Sequence, residues 1–125
     1  MSPSTPQADL ARKNTVHREL DALDAEDAVA TGALLLDVRE PDEFAAGHAP
    51  DAKCVPLGEL GARLDELTGT ATVVCVCRSG ARSAAAAEAL TAAGYDAINL
   101  VGGMIAWAQE GLPIVSSSGG AGEVR

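Results

Sequence analysis

Apolar runs of strand length alternate with stretches of helical periodicity along most of this chain. Residues 16–20 have the composition of a short strand. Residues 24–31 carry a helical pattern, with Asp24 available to cap the start and Gly32 to stop it. Residues 33–38 form an apolar run of the kind that is buried on both faces of a sheet. A short helix is expected at 41–46: Pro41 suits its first turn, Asp42 and Glu43 follow, and Gly47 ends it. Residues 53–56 suit a brief strand. Leu57, Leu60, Leu64 and Leu67 recur at helical spacing before Gly69. Residues 72–77 read as the central strand, 82–93 as an alanine-rich helix closed by Gly94, and 97–100 as a further strand. Gly102-Gly103 then turns the chain into a last helix at 104–110. This alternation predicts an α/β layer architecture with a mostly parallel sheet.

The two ends differ from this pattern. Residues 1–14 are rich in Ser, Pro and polar side chains, and 116–125 in Ser and Gly. Such compositions bury little, so flexible segments are expected on either side of one domain at 15–115.

Composition narrows the chemistry. The 125 residues suffice for one core, and with Phe44, Tyr95 and Trp107 as the only aromatics, that core must consist of Leu, Val, Ile and Ala. Helices are therefore expected close to their neighbours. A formal charge of −9 argues against nucleic acid and against an anionic membrane surface. No run approaches membrane-spanning length, and no basic segment followed by an apolar one opens the sequence. Cys54, Cys75 and Cys77 are an odd number without the spacing of a disulfide framework, and the last two do not match a zinc clamp. A reducing, cytoplasmic setting with a free thiol is expected.

Cys77 is the candidate for that thiol. It ends the central apolar run and opens Cys77-Arg78-Ser79-Gly80-Ala81-Arg82-Ser83, just before the alanine-rich helix. The first turn of a helix offers unpaired N–H groups and the positive end of its dipole. Such surroundings, with Arg78 and Arg82 adding positive charge, bring a cysteine pKa from about 8.5 into the range of roughly 3.5–7.5. Ligands of open parallel sheets bind beyond the carboxyl ends of the strands, where Cys77 falls.

Several segments occur in a recognisable order: Leu35-Leu36-Asp37-Val38-Arg39-Glu40, Glu43-Phe44, Gly47-His48, Val55-Pro56, the Cys77–Ser83 loop, and Gly102-Gly103-Met104 with Ala106-Trp107. By this ordered set the chain resembles single-domain rhodanese-like sulfurtransferases over residues 15–114. The resemblance implies a five-stranded sheet flanked by helices on both faces, with no metal or organic cofactor. It implies that Cys77 is a nucleophile that accepts a sulfane sulfur from thiosulfate or a persulfide. The resulting Cys77 persulfide would pass the sulfur to cyanide or a thiol. By position, Arg78, Ser79, Gly80, Ala81, Arg82 and Ser83 would form the substrate cradle. Relatives on this fold that act on phosphate or arsenate carry one more residue between Cys and Arg. Here four, Arg78 to Ala81, separate Cys77 from Arg82, which suits a single sulfur atom better. An alternative role is a sulfur-carrier or interaction module that receives sulfur from a protein donor such as a cysteine desulfurase. A thiol-redox role would need Cys54 or Cys75 as a resolving thiol.

The remaining residues have plainer readings. Cys75 and Cys54 are expected in the core. Asp37 is expected in structural hydrogen bonding near the site, and Arg39 either at the rim of the site or paired with Glu43. His48 is read as structural, Trp107 as a core aromatic, and His17 has no context. The sequence departs from the family pattern at Asp51, where Gly is usual, and at Cys54, where Asn or His is more frequent.

Overall fold

In the computed structural model, which describes residues 18–125, the apolar runs become the inner strands of one sheet. The strands are β1 (Arg18–Leu20), β2 (Leu34–Asp37), β3 (Lys53–Cys54), β4 (Val73–Val76) and β5 (Ala97–Leu100). All pair in parallel, in the order β1-β5-β4-β2-β3. The registers Leu36↔Cys75 and Cys75↔Asn99 put β4 at the centre, and Glu19↔Asn99 extends the same row to the edge strand. The start of the first expected strand, the 1–14 segment and His17 lie outside the described residues.

Successive strand residues point to opposite faces, so the sheet divides the core in two. On one face Leu36, Val73, Cys75 and Ala97 pack with Ala86, Ala87 and Leu90 of α3 (Ala81–Ala92) and with Leu60 and Leu67. On the other, Leu35, Val74, Val76, Ile98 and Leu100 meet Ala22 and Ala25 of α1 (Ala22–Ala30) and Met104 and Trp107 of α4 (Gly103–Gln109). The buried alanines let the helices approach the sheet closely, as the scarcity of aromatics requires. The Trp107 indole N–H donates to Pro113 O at 2.8 Å, which satisfies its one polar atom within the core.

Two local details differ from the sequence reading, and a third accounts for a departure it noted. The first helix begins earlier, and its cap is Asp21 rather than Asp24: Asp24 is the third helical residue and donates its N–H to Asp21 Oδ1 at 2.9 Å. The leucine-spaced segment Leu57–Leu67 is a 3₁₀ helix, η1, interrupted at Arg63 (φ −118°, ψ 20°). Gly58 and Gly61 disfavour a continuous α-helix there, yet the leucine face still reaches the core. Asp51, in the place of the usual glycine, has φ +67°. The left-handed conformation that glycine would supply is thus met by a residue whose short polar side chain tolerates it.

α2 (Pro41–Ala46) has the expected bounds, and Glu43 accepts a hydrogen bond from the Glu40 N–H at 2.9 Å, which pairs one open donor of the first turn. His48 stacks on Phe44 (centroids 3.8 Å apart) and its Nδ1 lies 2.7 Å from Phe44 O, a structural placement. The C-terminal segment folds back over this corner. Val115 and His48 exchange backbone hydrogen bonds of 2.9 Å, Ser117 N–H donates to Ala45 O and Glu123 N–H to Ala46 O. Among the described residues, no helix is long and apolar enough to cross a membrane.

Candidate active site

Cys77 follows β4 directly, at the carboxyl edge of the sheet, and α3 begins four residues later. The chain reverses between them because Gly80 takes φ +115°, a conformation that suits glycine. This reversal turns the intervening amides inward. Gly80 N–H donates to Cys77 Sγ at 3.1 Å, and Ser83 donates from its N–H and lies with its hydroxyl within donating distance, both at 3.3 Å. From behind, α4 holds the loop: Met104 N–H donates to Cys77 O at 2.8 Å and Ile105 N–H to Arg78 O at 3.1 Å. Gly103 makes this approach possible, since a side chain there would collide with the Cys77 and Arg78 carbonyls. The Gly102-Gly103 pair thus supports the loop although it lies far away in sequence.

The ionisation of Cys77 is set by two opposed effects. Its residue is 1% exposed, and burial alone raises a thiol's pKa. The Ser83 hydroxyl, then the N–H groups of Ser83, Gly80 and Ser79, overcome this and hold it below the usual thiol range. The two arginines contribute differently from the expectation. Arg82 makes a two-pronged ion pair with Glu43, at 2.8 and 3.0 Å, so its charge is largely spent on linking α3 to α2. Arg78 is exposed, and among the described residues nothing engages its guanidinium. Ser79, Gly80 and Ala81 complete the turn between these two side chains.

Arg39 requires a correction. It neither reaches the rim nor pairs with Glu43, but lies fully buried beside Asp37, with Nη2 2.7 Å from Asp37 Oδ2 and 2.8 Å from Gly47 O. A guanidinium so close to a carboxylate of the same tight turn makes that pair, not the surface one. Asp37 has the structural role read from the sequence and also accepts from the Arg39 backbone N–H at 3.1 Å.

The other cysteines are poor candidates for ionisation. Burial, and then the neighbouring Cys77, push the Cys75 thiol up to about 12. Cys54 is half-buried rather than core, donates to Arg39 O at 3.7 Å, and is also raised, by burial first and then by Asp37. Among the described residues, no grouping of His, Cys, Asp and Glu could hold a metal ion. A cavity of about 310 Å³, between Arg18, Ala28, Thr31 and Thr72, opens at the opposite end of the sheet and has no part in the site.

Two residues of the site had no place in the sequence reading. Asn99, buried in β5, accepts from the Ser83 hydroxyl at 2.7 Å, and its amide donates to Glu19 on β1 at 3.2 Å. The signal was a polar residue inside Ala97–Leu100, whose positions are otherwise apolar and all buried.

A strand, a tight amide-lined loop and a helix around one recessed sulfur define a class of site that stabilises a sulfur anion. The rhodanese-like domain family model matches residues 17–110, and the chain belongs to that family. A sulfurtransferase of Allochromatium vinosum is 47% identical over 87 residues, covering 69% of this chain and 81% of that protein. The chloroplastic thiosulfate sulfurtransferase 16 of Arabidopsis thaliana is 33% identical over 117 residues, 83% of this chain and 98% of the relative. Two further relatives are longer, and the chain spans 54% and 36% of them. Among solved structures, a rhodanese-related protein from Thermoplasma volcanium superposes with a TM-score of 0.74 at 32% identity, covering 79% of this chain and 98% of that one.

Proposed function

We propose that this protein is a sulfurtransferase that carries sulfane sulfur as a persulfide on Cys77. The observation that carries this reading is the ring of donors on a recessed Cys77 sulfur, which lowers its pKa and stabilises the anionic form a nucleophile needs. The thiolate attacks the outer sulfur of thiosulfate. An S–S bond forms to Cys77, the S–S bond of thiosulfate breaks, and sulfite leaves with the electron pair. Cyanide or a thiolate then attacks the terminal sulfur, the acceptor's new S–C or S–S bond forms, and the Cys77 thiolate is regenerated.

Two further features favour a small anionic donor. Cys77 is recessed, so only a slim terminal atom reaches it, and a sulfane sulfur is such an atom. Arg78 stands exposed beside it as an uncompensated cation, suited to the sulfonate end of thiosulfate. Loop amides would stabilise the persulfide anion as they do the thiolate, with no side-chain reorganisation. A protein persulfide could enter the same displacement, with Cys77 then acting as a carrier.

Steady-state formation of thiocyanate from thiosulfate and cyanide tests the reading. Activity is expected in wild type and absent in Cys77→Ser. Arg78→Ala is expected to raise the KM for thiosulfate by roughly tenfold, as for a lost charge-assisted hydrogen bond, while kcat changes less. No turnover with thiosulfate, together with efficient transfer from a protein persulfide, would favour the carrier role.

A further inference from the structure

The Ser83 side chain has one hydroxyl proton and three acceptors around it: Asn99 Oδ1 at 2.7 Å, Gly80 O at 3.2 Å and Cys77 Sγ at 3.3 Å. It can serve only one well at a time. The orientation of the Asn99 amide is fixed from its far side, because the carboxylate of Glu19 only accepts and so faces Nδ2. Oδ1 is therefore held toward Ser83, where it competes with the sulfur. The register places Glu19, Asn99 and Cys75 side by side across β1, β5 and β4, so this chain of contacts is built into the sheet.

We propose that Asn99 is a positioning residue that controls the Cys77 sulfur through the Ser83 hydroxyl. The proposal rests on Cys77 being the nucleophile. With the sulfur protonated, Ser83 donates to Asn99 and its oxygen is free to accept from the thiol. With the sulfur ionised, the hydroxyl rotates and donates to it, leaving Oδ1 of Asn99 without that bond. When a persulfide forms, the charge moves outward by one S–S bond, about 2 Å, toward the loop amides. The Ser83 hydroxyl then turns back to donate to Asn99 Oδ1. No proton leaves Ser83 at any stage; the hydroxyl only turns. Asn99 thereby opposes full stabilisation of the thiolate, which keeps the sulfur more basic and a better nucleophile than Ser83 and the amides alone would leave it.

Other charged or titratable groups surround this line: Cys75 on β4, Arg78 in the loop, Arg82 on α3 with its partner Glu43 from α2, and the Asp37–Arg39 pair after β2. None of them faces the Ser83 hydroxyl with a hydrogen bond. The effect of Asn99 should therefore depend on Ser83.

The test is a pH titration of thiolate absorbance near 240 nm, with the Cys77→Ser spectrum subtracted, and with no sulfur donor present. Asn99→Leu, which keeps volume and removes the acceptor, is expected to lower the Cys77 pKa by about 0.5–1 unit. Ser83→Ala is expected to raise it, and Asn99→Leu to have no further effect in that background. A pKa that rises or stays fixed in Asn99→Leu, or a drop that persists without Ser83, would overturn the proposal. Should Asn99→Leu fail to fold, Glu19→Gln at the exposed end lets the amide reverse. It must then produce a smaller drop that again requires Ser83, and its absence would be equally contrary. Because no donor is used, the outcome is distinct from that of sulfur transfer: a persulfide that forms without this coupling defeats the relay alone.

Discussion

Burial at 1% exposure favours the neutral form of a sulfur, and hydrogen bonds from N–H and O–H groups reverse that preference at Cys77. The charge is held by preorganised dipoles more than by a neighbouring cation, since Arg82 is committed to Glu43. Arg39 illustrates the opposite use of a charge. Its guanidinium and the Asp37 carboxylate are both fully buried, and Gly47 O takes part of the remaining donor capacity. Replacing such a pair by apolar groups can be neutral, but removing one partner strands the other. Arg39→Ala should therefore cost about 3–5 kcal/mol in urea denaturation. A loss below about 1 kcal/mol would mean that Asp37 finds water or another partner once the arginine is gone.

At the scale of elements, the site depends on helices and loops that meet from different parts of the chain. α4 supports the loop through Gly103, and α2 reaches α3 through Glu43 and Arg82. The Arg82 hydrogen bonds hold the Glu43 carboxyl at about 2, well below the ordinary carboxylate value of 4.5, although partial burial works the other way. The folded state thus has the lowered pKa, so the pair stabilises above about pH 4.5 and loses that contribution as pH falls toward 2. Wild type should exceed Glu43→Gln by at most about 1 kcal/mol at pH 7, the pair being partly solvated, and the gap should close near pH 2. An unchanged gap across that range would assign the difference to packing rather than charge. Boundaries of elements were legible where a side chain imposes them. Pro41 and Gly47 bracket α2 on both sides, whereas Asp21 and Asp24 are equally good caps by type, and only the start of the apolar face on α1 decides between them.

Across the whole molecule, the α/β alternation, the largely buried strand β2 and the place of Cys77 could be read directly, because each rests on local periodicity or on a loop adjacent in sequence. What could not be read depends on contacts between distant segments. Arg39 is drawn into the core by Asp37 and Gly47 O, Arg82 is claimed by Glu43, and Asn99 comes to Ser83 only because β5 lies beside β4. The C-terminal segment is similar: its Ser/Gly composition predicts a flexible tail, yet its backbone bonds to residues 45–48. The central claim is that Cys77 carries the sulfur. Intact-protein mass spectrometry after brief exposure to thiosulfate, without reductant, tests it most directly. Wild type should gain the mass of one sulfur atom and lose it again on addition of cyanide, while Cys77→Ser gains none. A gain that persists in Cys77→Ser, or a wild-type protein that takes sulfur from neither thiosulfate nor a protein persulfide, would contradict the account.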